Sequence, residues 1–376
     1  MLKSVKFKNF KIFKNETIID LTASKSEILK DTNVYNGILK GGLFYGSNAS
    51  GKTTALNAIS ILLDLLFKEM SFKNFLACSF SKEFNTYFEY TFVIDGNDII
   101  YFIEFGRDGN VIKEKLTLND KVYLDRIGTN ATSELTENRL YTNDDIDSKT
   151  LFIRKIYFNT KFSEFSVLNK WMEFLKNSIY FNFMSQVTFS STTQQEVSLF
   201  NYLEKYGTND INEFFEEFNI PYEIIYKKVI GLPINNFDNI IFRNKVINNN
   251  IPFILESNGN QMLLNLMPSI LTIIKTGGIL AIDEFSCVLH NKLEELLINY
   301  LYKKTSNVQV FVVSHSTNLL KTSIVRPDQI FVVDFDENGG FISKASSASP
   351  RESQNLEKMY LAGVFGGLPI YEPNKD

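Results

Sequence analysis

The 376-residue chain carries only two cysteines, Cys78 and Cys287, and only two histidines, His290 and His315. Two isolated thiols have no metal-ligand spacing and build no disulfide framework, which points to a reducing compartment. Long apolar runs are missing as well. The greasiest stretch, Ile59 to Phe67, is interrupted by Asp64 and closed by Lys68, well short of the ~18 residues that cross a bilayer. The opening Met1-Leu2-Lys3-Ser4-Val5-Lys6 is basic without the apolar segment of a signal peptide. An excess of one charge is absent: 39 basic against 43 acidic residues leave a net charge of −4. The composition therefore contains no general attraction to nucleic acid or anionic membrane, although a local basic patch is compatible with it. These absences lead us to expect a soluble cytoplasmic protein with no membrane partner. No internal repeat or low-complexity tract is visible.

What the chain has in quantity is aromatic bulk. With 34 Phe and 17 Tyr in a 44% hydrophobic sequence, it can build a large core, as one large domain or two modest ones.

That core is arranged around Gly46-Ser47-Asn48-Ala49-Ser50-Gly51-Lys52-Thr53, which matches the G-x-x-x-x-G-K-[ST] phosphate-binding loop. Gly42-Leu43-Phe44-Tyr45 before it reads as a strand end, and Thr54-Ala55-Leu56-Asn57-Ala58-Ile59 after it opens a helix. The motif requires this strand–loop–helix context. Glycines let backbone amides curl around an anion, and the helix N-terminus adds partial positive charge. Lys52 can reach the β- and γ-phosphates and the Thr53 hydroxyl can ligate Mg2+. The expectation is a protein that binds ATP with Mg2+.

Three later stretches supply partners. Gly278-Ile279-Leu280-Ala281-Ile282-Asp283-Glu284 is an apolar strand ending in two carboxylates. Asp283 is assigned to magnesium, and Glu284 to orienting or deprotonating the attacking water. Val310-Phe311-Val312-Val313-Ser314-His315 is a second such strand, whose His315 can contact the γ-phosphate or simply cap the following helix. Ser257-Asn258-Gly259-Asn260-Gln261 precedes the apolar helix Met262 to Ile274. Ser257 and Gly259 there form either a second anion site, closing on a partner's nucleotide, or an ordinary N-cap.

Along the chain, Val5 to Lys8, Phe10 to Phe13 and Thr17 to Leu21 alternate like strands. Tyr87 to Ile94 and Ile99 to Phe105 flank an Asp95-Gly96-Asn97 turn, a hairpin signal. Strands near Val111–Leu116 and Val122–Leu124 continue the meander. The pattern from Gly128 to Lys149 is polar and aperiodic, and that from Ser163 to Glu217 is helical. Strands return at Ile240–Phe242 and Ile251–Leu255, with turns through the Asn-rich stretch 235–250. The fold class expected is α/β: a P-loop NTPase with a mixed central sheet, an antiparallel β subdomain and an inserted helical subdomain. The division expected is an N-terminal ATPase lobe (1–160), a helical insertion (161–235) and a C-terminal ATPase lobe (236–376).

The order P-loop, Ser-Asn-Gly-Asn-Gln, Ile-Asp-Glu and Ser-His resembles ABC-type ATPases of the SMC, RecF and OLD branch. It is similar above all to AAA-type ATPases of bacterial anti-phage operons: the AbiL-type and RloA/RloB-type systems and the PARIS ATPase. Val5-Lys6-Phe7-Lys8-Asn9-Phe10-Lys11-Ile12-Phe13 resembles that branch's N-F-R-x-F strand, and Asn48 a common P-loop asparagine. Asp283-Glu284-Phe285-Ser286-Cys287-Val288-Leu289-His290 resembles its D-E-x-x-x-x-L-H run, and the tail from Tyr360 to Pro369 its Y-x-x-G-x-[FY]-G-x-x-P ending.

The resemblance implies a head-to-tail homodimer or higher homo-oligomer sandwiching two ATP molecules. In it, Ser257 and Gly259 of one protomer meet the phosphate held by Lys52 of the other, and Leu289-His290-Asn291 forms the D-loop at the interface between them. No glutamine lies between Thr54 and Gln186, so the Q-loop residue is not placed. The signature is not the transporters' Leu-Ser-Gly-Gly-Gln, and the middle region has no room for a long coiled coil. The function implied is an ATPase that controls a separately encoded effector, a nuclease or toxin, in response to a phage protein or DNA. A DNA-binding RecF/SMC-like role, using Lys6, Lys8, Lys11 and Lys14, is the alternative. An OLD-like nuclease would need Asp334-Phe335-Asp336-Glu337, which with Asn338-Gly339-Gly340 reads better as a hairpin turn.

Overall fold

The computed structural model describes residues 1–68, 76–136, 139–143, 145–160, 166–183, 187–190, 197–227, 237–287, 289–351 and 353–368. Gln186, Val288 and Pro369 lie outside them.

The first sheet is antiparallel throughout. It contains β1 (Leu2–Lys8), β2 (Thr17–Asp20), β6 (Thr86–Ile94), β7 (Asn97–Phe105), β8 (Val111–Leu118), β9 (Lys121–Ile127), β10 (Asn130–Thr136) and β11 (Arg139–Asn143). Its order is β11-β10-β9-β8-β7-β6-β1-β2. β6 alternates strictly between buried and half-buried residues, as one face on a core requires. Asp95 and Gly96 join β6 to β7 with φ of 50° and 77°, the two positive values that a right-twisted two-residue hairpin needs.

A small hairpin, β3 (Val34–Tyr35) and β4 (Ile38–Leu39), leads into the second sheet. This sheet contains β5 (Gly41–Tyr45), β12 (Ile179–Asn182), β13 (Val187–Ser190), β17 (Gly278–Asp283), β18 (Val308–Val313), β19 (Ile330–Asp336) and β20 (Gly339–Lys344). The order is β13-β12-β17-β18-β5-β19-β20; the five inner strands are mutually parallel and the two edges antiparallel. β14 (Tyr222–Tyr226), β15 (Ile240–Asn244) and β16 (Asn249–Pro252) form a separate three-stranded sheet.

β17 and β18 are buried at every position, because each face of the second sheet has its own core. Ile279, Ala281, Phe311 and Val313 join the core shared with the first sheet. Leu280, Ile282, Val310 and Val312 join the core beneath the helices Asn258–Thr276 and Asn291–Lys304. The helix Lys52–Phe67 contributes Leu56, Ile59, Leu62 and Leu66 to the first core. Lying between sheets, it is apolar nearly all round, as burial on several sides dictates. Among the described residues no helix is long and apolar enough to cross a membrane.

Two local expectations change. Phe10 to Phe13 is a tight turn closed by reciprocal backbone hydrogen bonds, with Asn9 and Lys11 at φ 56° and 51°; the alternation there comes from a bend, not a strand. Residues 163–217 are not wholly helical, because β12 and β13 interrupt the helices. β12 pairs with β17, so the 161–235 interval is woven into the nucleotide sheet.

Candidate functional site

All five parallel strands end at one edge, and in such sheets ligands bind outside the carboxyl ends. β5 delivers the phosphate loop there, β17 delivers Asp283 and Glu284, and β18, lying between them, delivers Ser314 and His315. A cleft of about 730 Å3 opens at this edge, lined by Ile12, Asn48, Ala49, Gly51, Lys52, Thr53, Thr54, Glu284 and His315.

Gly46 turns the chain out of β5 at φ 152°, where a Cβ would stand 2.2 Å from the Val333 carbonyl oxygen, so a side chain is sterically barred. Lys52 Nζ folds over the loop and donates to the carbonyls of Gly46 (3.1 Å) and Ser47 (2.7 Å). Burial lowers the Lys52 pKa, against the opposing pull of Glu284 and Asp283. Thr53 Oγ1 donates to Asp283 Oδ1 at 3.1 Å. The other Asp283 oxygen accepts from Tyr180 OH and Asn182 Nδ2, each at 3.1 Å. Burial raises the Asp283 pKa, while the bonds from Thr53 and Tyr180 oppose the shift.

Glu284 adopts a left-handed φ of 57°, which costs a non-glycine residue roughly 1–2 kcal/mol. The Cys287 thiol donates to its Oε2 at 3.3 Å. The His315 amide donates to Ser286 Oγ at 2.9 Å, tying its loop to the turn after Glu284. Partial burial, reinforced by the Lys52 charge, lowers the His315 pKa.

The donor set fits the ATP–Mg2+ expectation. Asn48, Ala49 and Gly51 to Thr53 of the phosphate loop and its helix line the cleft, with Lys52 among them. Ser50 Oγ is buried without a hydrogen-bond partner among the described residues, and the Thr53 hydroxyl and Asp283 carboxylate are the hard oxygens that magnesium selects.

The structure thus brings together Asn48, Ala49, Gly51 to Thr54, Asp283, Glu284 and His315. It does not bring Ser257 and Gly259 to the cleft of the same chain. Ser257 caps the helix Asn258–Thr276, its Oγ accepting from the Asn260 amide at 3.4 Å. His290 likewise caps the helix Asn291–Lys304 through Nδ1. Asp334 belongs to the β19–β20 hairpin and accepts from the amides of Phe335 and Gly367.

Three contributors escaped the sequence reading. Tyr180 and Asn182 sit on β12, inside a stretch read as helix; the β-branched and aromatic run Ile179-Tyr180-Phe181 was the available signal. Lys11 was grouped with surface lysines, yet burial lowers its pKa while the nearby Asp283 charge opposes the shift. Lys11 sits at a positive φ in the turn beside Ile12, and periodicity gave no sign of that turn.

The fold, with its phosphate loop at the carboxyl edge of the parallel strands, is that of a P-loop ATPase of ABC type. The chain belongs to the family described as "AAA domain, putative AbiEii toxin, Type IV TA system", whose model matches residues 43–321. Among solved structures, an SMC head domain from Thermotoga maritima matches with a TM-score of 0.52 at 13% identity, covering 91% of this chain and 98% of that one. An SMC head bound to the C-terminal winged-helix domain of ScpA matches at 0.53 and 13% identity (91% and 96% covered). A head with an extended coiled coil, bound to the C-terminal domain of ScpA and derived from Pyrococcus furiosus, matches at 0.55 and 12% identity (93% and 97% covered). At these identities the likeness is one of fold. None of the curated protein sequences compared with the chain matches it.

Proposed function

We propose that the protein binds and hydrolyses ATP with Mg2+, closes as a head-to-tail homodimer around two nucleotides, and regulates a separately encoded toxic effector in anti-phage defence. One observation carries the ATPase part: Lys52, the Thr53–Asp283 pair, Glu284 and His315 converge on one cleft from three parallel strands. Lys52 and the loop amides neutralise phosphate charge. Thr53 and Asp283 would hold a magnesium ion, which would supply charge neutralisation to the phosphates. Glu284 accepts the proton of the attacking water and His315 hydrogen-bonds the γ-phosphate.

Dimerisation is supported by what the cleft lacks in one chain. Ser257 and Gly259 lie outside it, and just before them Ile254 and Leu255 are 58% and 73% exposed, an apolar pair that a second protomer would cover. The defence role is supported by the toxin–antitoxin wording of the family description. ScpA bound to SMC heads offers a pattern for a separately encoded protein bound to a head of this fold. Solution mass of Glu284→Gln with ATP–Mg2+, alone and with the product of the adjacent gene, tests this. ATP-dependent dimers that retain that product support the reading, and a monomer indifferent to both removes it.

The SMC-like architecture also fits the DNA-binding alternative. Against it, Lys6 pairs with Glu89 at 3.1 Å and Lys8 with Glu83 at 2.7 Å, which neutralises half of the lysine set it would use. Salt-sensitive binding to duplex DNA would restore that reading.

A further inference from the structure

The family match ends at residue 321, yet the segment that follows β20 returns to the phosphate loop. Its short helix Leu356–Leu361 packs the Tyr360 ring on that of Tyr45, with centroids 5.5 Å apart, and Tyr45 is the residue before Gly46. The Tyr360 hydroxyl donates to the Gly367 carbonyl at 3.4 Å, tying the helix to the glycine that packs on Gly46.

Gly367 itself is fixed by its amide, which donates to Asp334 Oδ2 at 3.0 Å. At φ +71° a Cβ on Gly367 would stand 2.4 Å from Val332 Cγ1 and 3.3 Å from the Gly46 Cα, so only glycine allows the tail this close to the loop. At the other end of the segment, Glu357 accepts from the Thr317 hydroxyl at 2.6 Å, two residues beyond His315. The tail therefore packs against the first glycine of the phosphate loop and hydrogen-bonds the loop that carries His315.

We propose that residues 356–367 form a strut that positions the phosphate loop, with Tyr360 and Gly367 as its positioning residues. The physical need is plain. Gly46 has no side chain to hold it, and its orientation sets where the next amides point. The strut supplies a close packing contact from Gly367 to that residue, held by the Tyr360–Gly367 hydrogen bond, and the Glu357–Thr317 bond anchors the far end. This inference rests on the reading of the cleft as an ATP site.

The test is ATP KM and kcat, with ADP affinity, for the full-length chain carrying Tyr360→Phe, Gly367→Ala or Leu361→Ser. Tyr360→Phe keeps the ring and removes only the hydroxyl. It should raise KM and the ADP Kd about fivefold, the scale of one lost hydrogen bond, with kcat unchanged. Gly367→Ala should act in the same direction, and more strongly. Leu361→Ser, at a 56% exposed position on the same helix, should change neither constant. If Gly367→Ala does not fold, Tyr360→Phe decides alone. A Tyr360→Phe protein with wild-type KM and ADP affinity, with or without a lowered melting temperature, would reduce the tail to packing and overturn the strut. A wild-type protein that bound no nucleotide would instead overturn the reading of the cleft.

Discussion

The Thr53 hydroxyl lies 3.1 Å from Asp283 Oδ1, across 230 residues of sequence. The P-loop helix and β17 meet at this bond, and the two are oxygens of the hard kind that magnesium selects.

Removing the cation that serves the phosphates should abolish tight binding. Losing a charged hydrogen-bond donor costs roughly 1.5–3 kcal/mol, so Lys52→Ala should weaken ATP binding about 10- to 100-fold. A fluorescent ATP analogue titrated against both proteins measures this, and equal affinities would remove Lys52 from the site.

Glu284→Gln keeps the shape of the side chain without its basicity. A positioned general base contributes about 100- to 10,000-fold, so turnover should fall by at least the lower figure while ATP stays bound and holds the dimer closed. Single-turnover phosphate release together with solution mass reads both effects. Wild-type turnover would exclude Glu284 as the base.

Asn182 and Tyr180 aim one carboxylate oxygen of Asp283 by holding it at 3.1 Å. Partners that orient a metal ligand are worth about 10- to 100-fold in metal affinity. Asn182→Ala should therefore raise the Mg2+ concentration needed for half-maximal turnover by about tenfold, and saturating Mg2+ should restore the rate. An unchanged Mg2+ requirement would contradict this role.

His315 has its pKa lowered from the usual 6.5 by partial burial and by Lys52. The unfolded chain therefore takes up a proton on acidification before the folded one does, and stability falls as pH drops through 6.5 toward the lower folded value. Denaturation midpoints compared between pH 8 and pH 6 should show wild type losing more stability than His315→Gln. Parallel curves would show that the imidazole is not held neutral by its surroundings.

Far from the cleft, Glu114 accepts from the amides of Phe152 (2.7 Å) and Ile153 (2.9 Å) and from Tyr101 OH (2.9 Å), with the Arg126 guanidinium 3.6 Å away. Glu114 and Arg126 are both fully buried. Glu114→Ala removes the carboxylate facing that buried guanidinium, leaving it to the carbonyls of Gly128, Thr150 and Asp147, and should cost about 3–5 kcal/mol, read as a lowered urea midpoint with the slope unchanged.

Much of the site was legible because phosphate chemistry demands a contiguous motif and carboxylates demand strand ends. Gly46 to Thr53, the Asp283-Glu284 pair and Ser314-His315 each announce themselves within a few residues. Tyr180, Asn182 and Lys11 did not, because their importance comes from neighbours supplied by other parts of the chain. Asn182 matters only because β12 runs parallel to β17 and puts it opposite Asp283. The tail motif was visible as a pattern, but its contact with Gly46 was not.

Local chemistry alone therefore specified an α/β protein with a phosphate-loop motif, the two strand ends that carry Asp283-Glu284 and Ser314-His315, and the Asp95-Gly96 hairpin turn. These follow from backbone sterics, hydrophobic period and short-range hydrogen bonding, which act over a few residues. The strand order, the placement of β18 between β5 and β17, the recruitment of β12 from a stretch that reads as helical and the packing of Gly367 on Gly46 were decided by the tertiary fold. They depend on which buried faces meet across hundreds of residues, and no local pattern encodes that pairing.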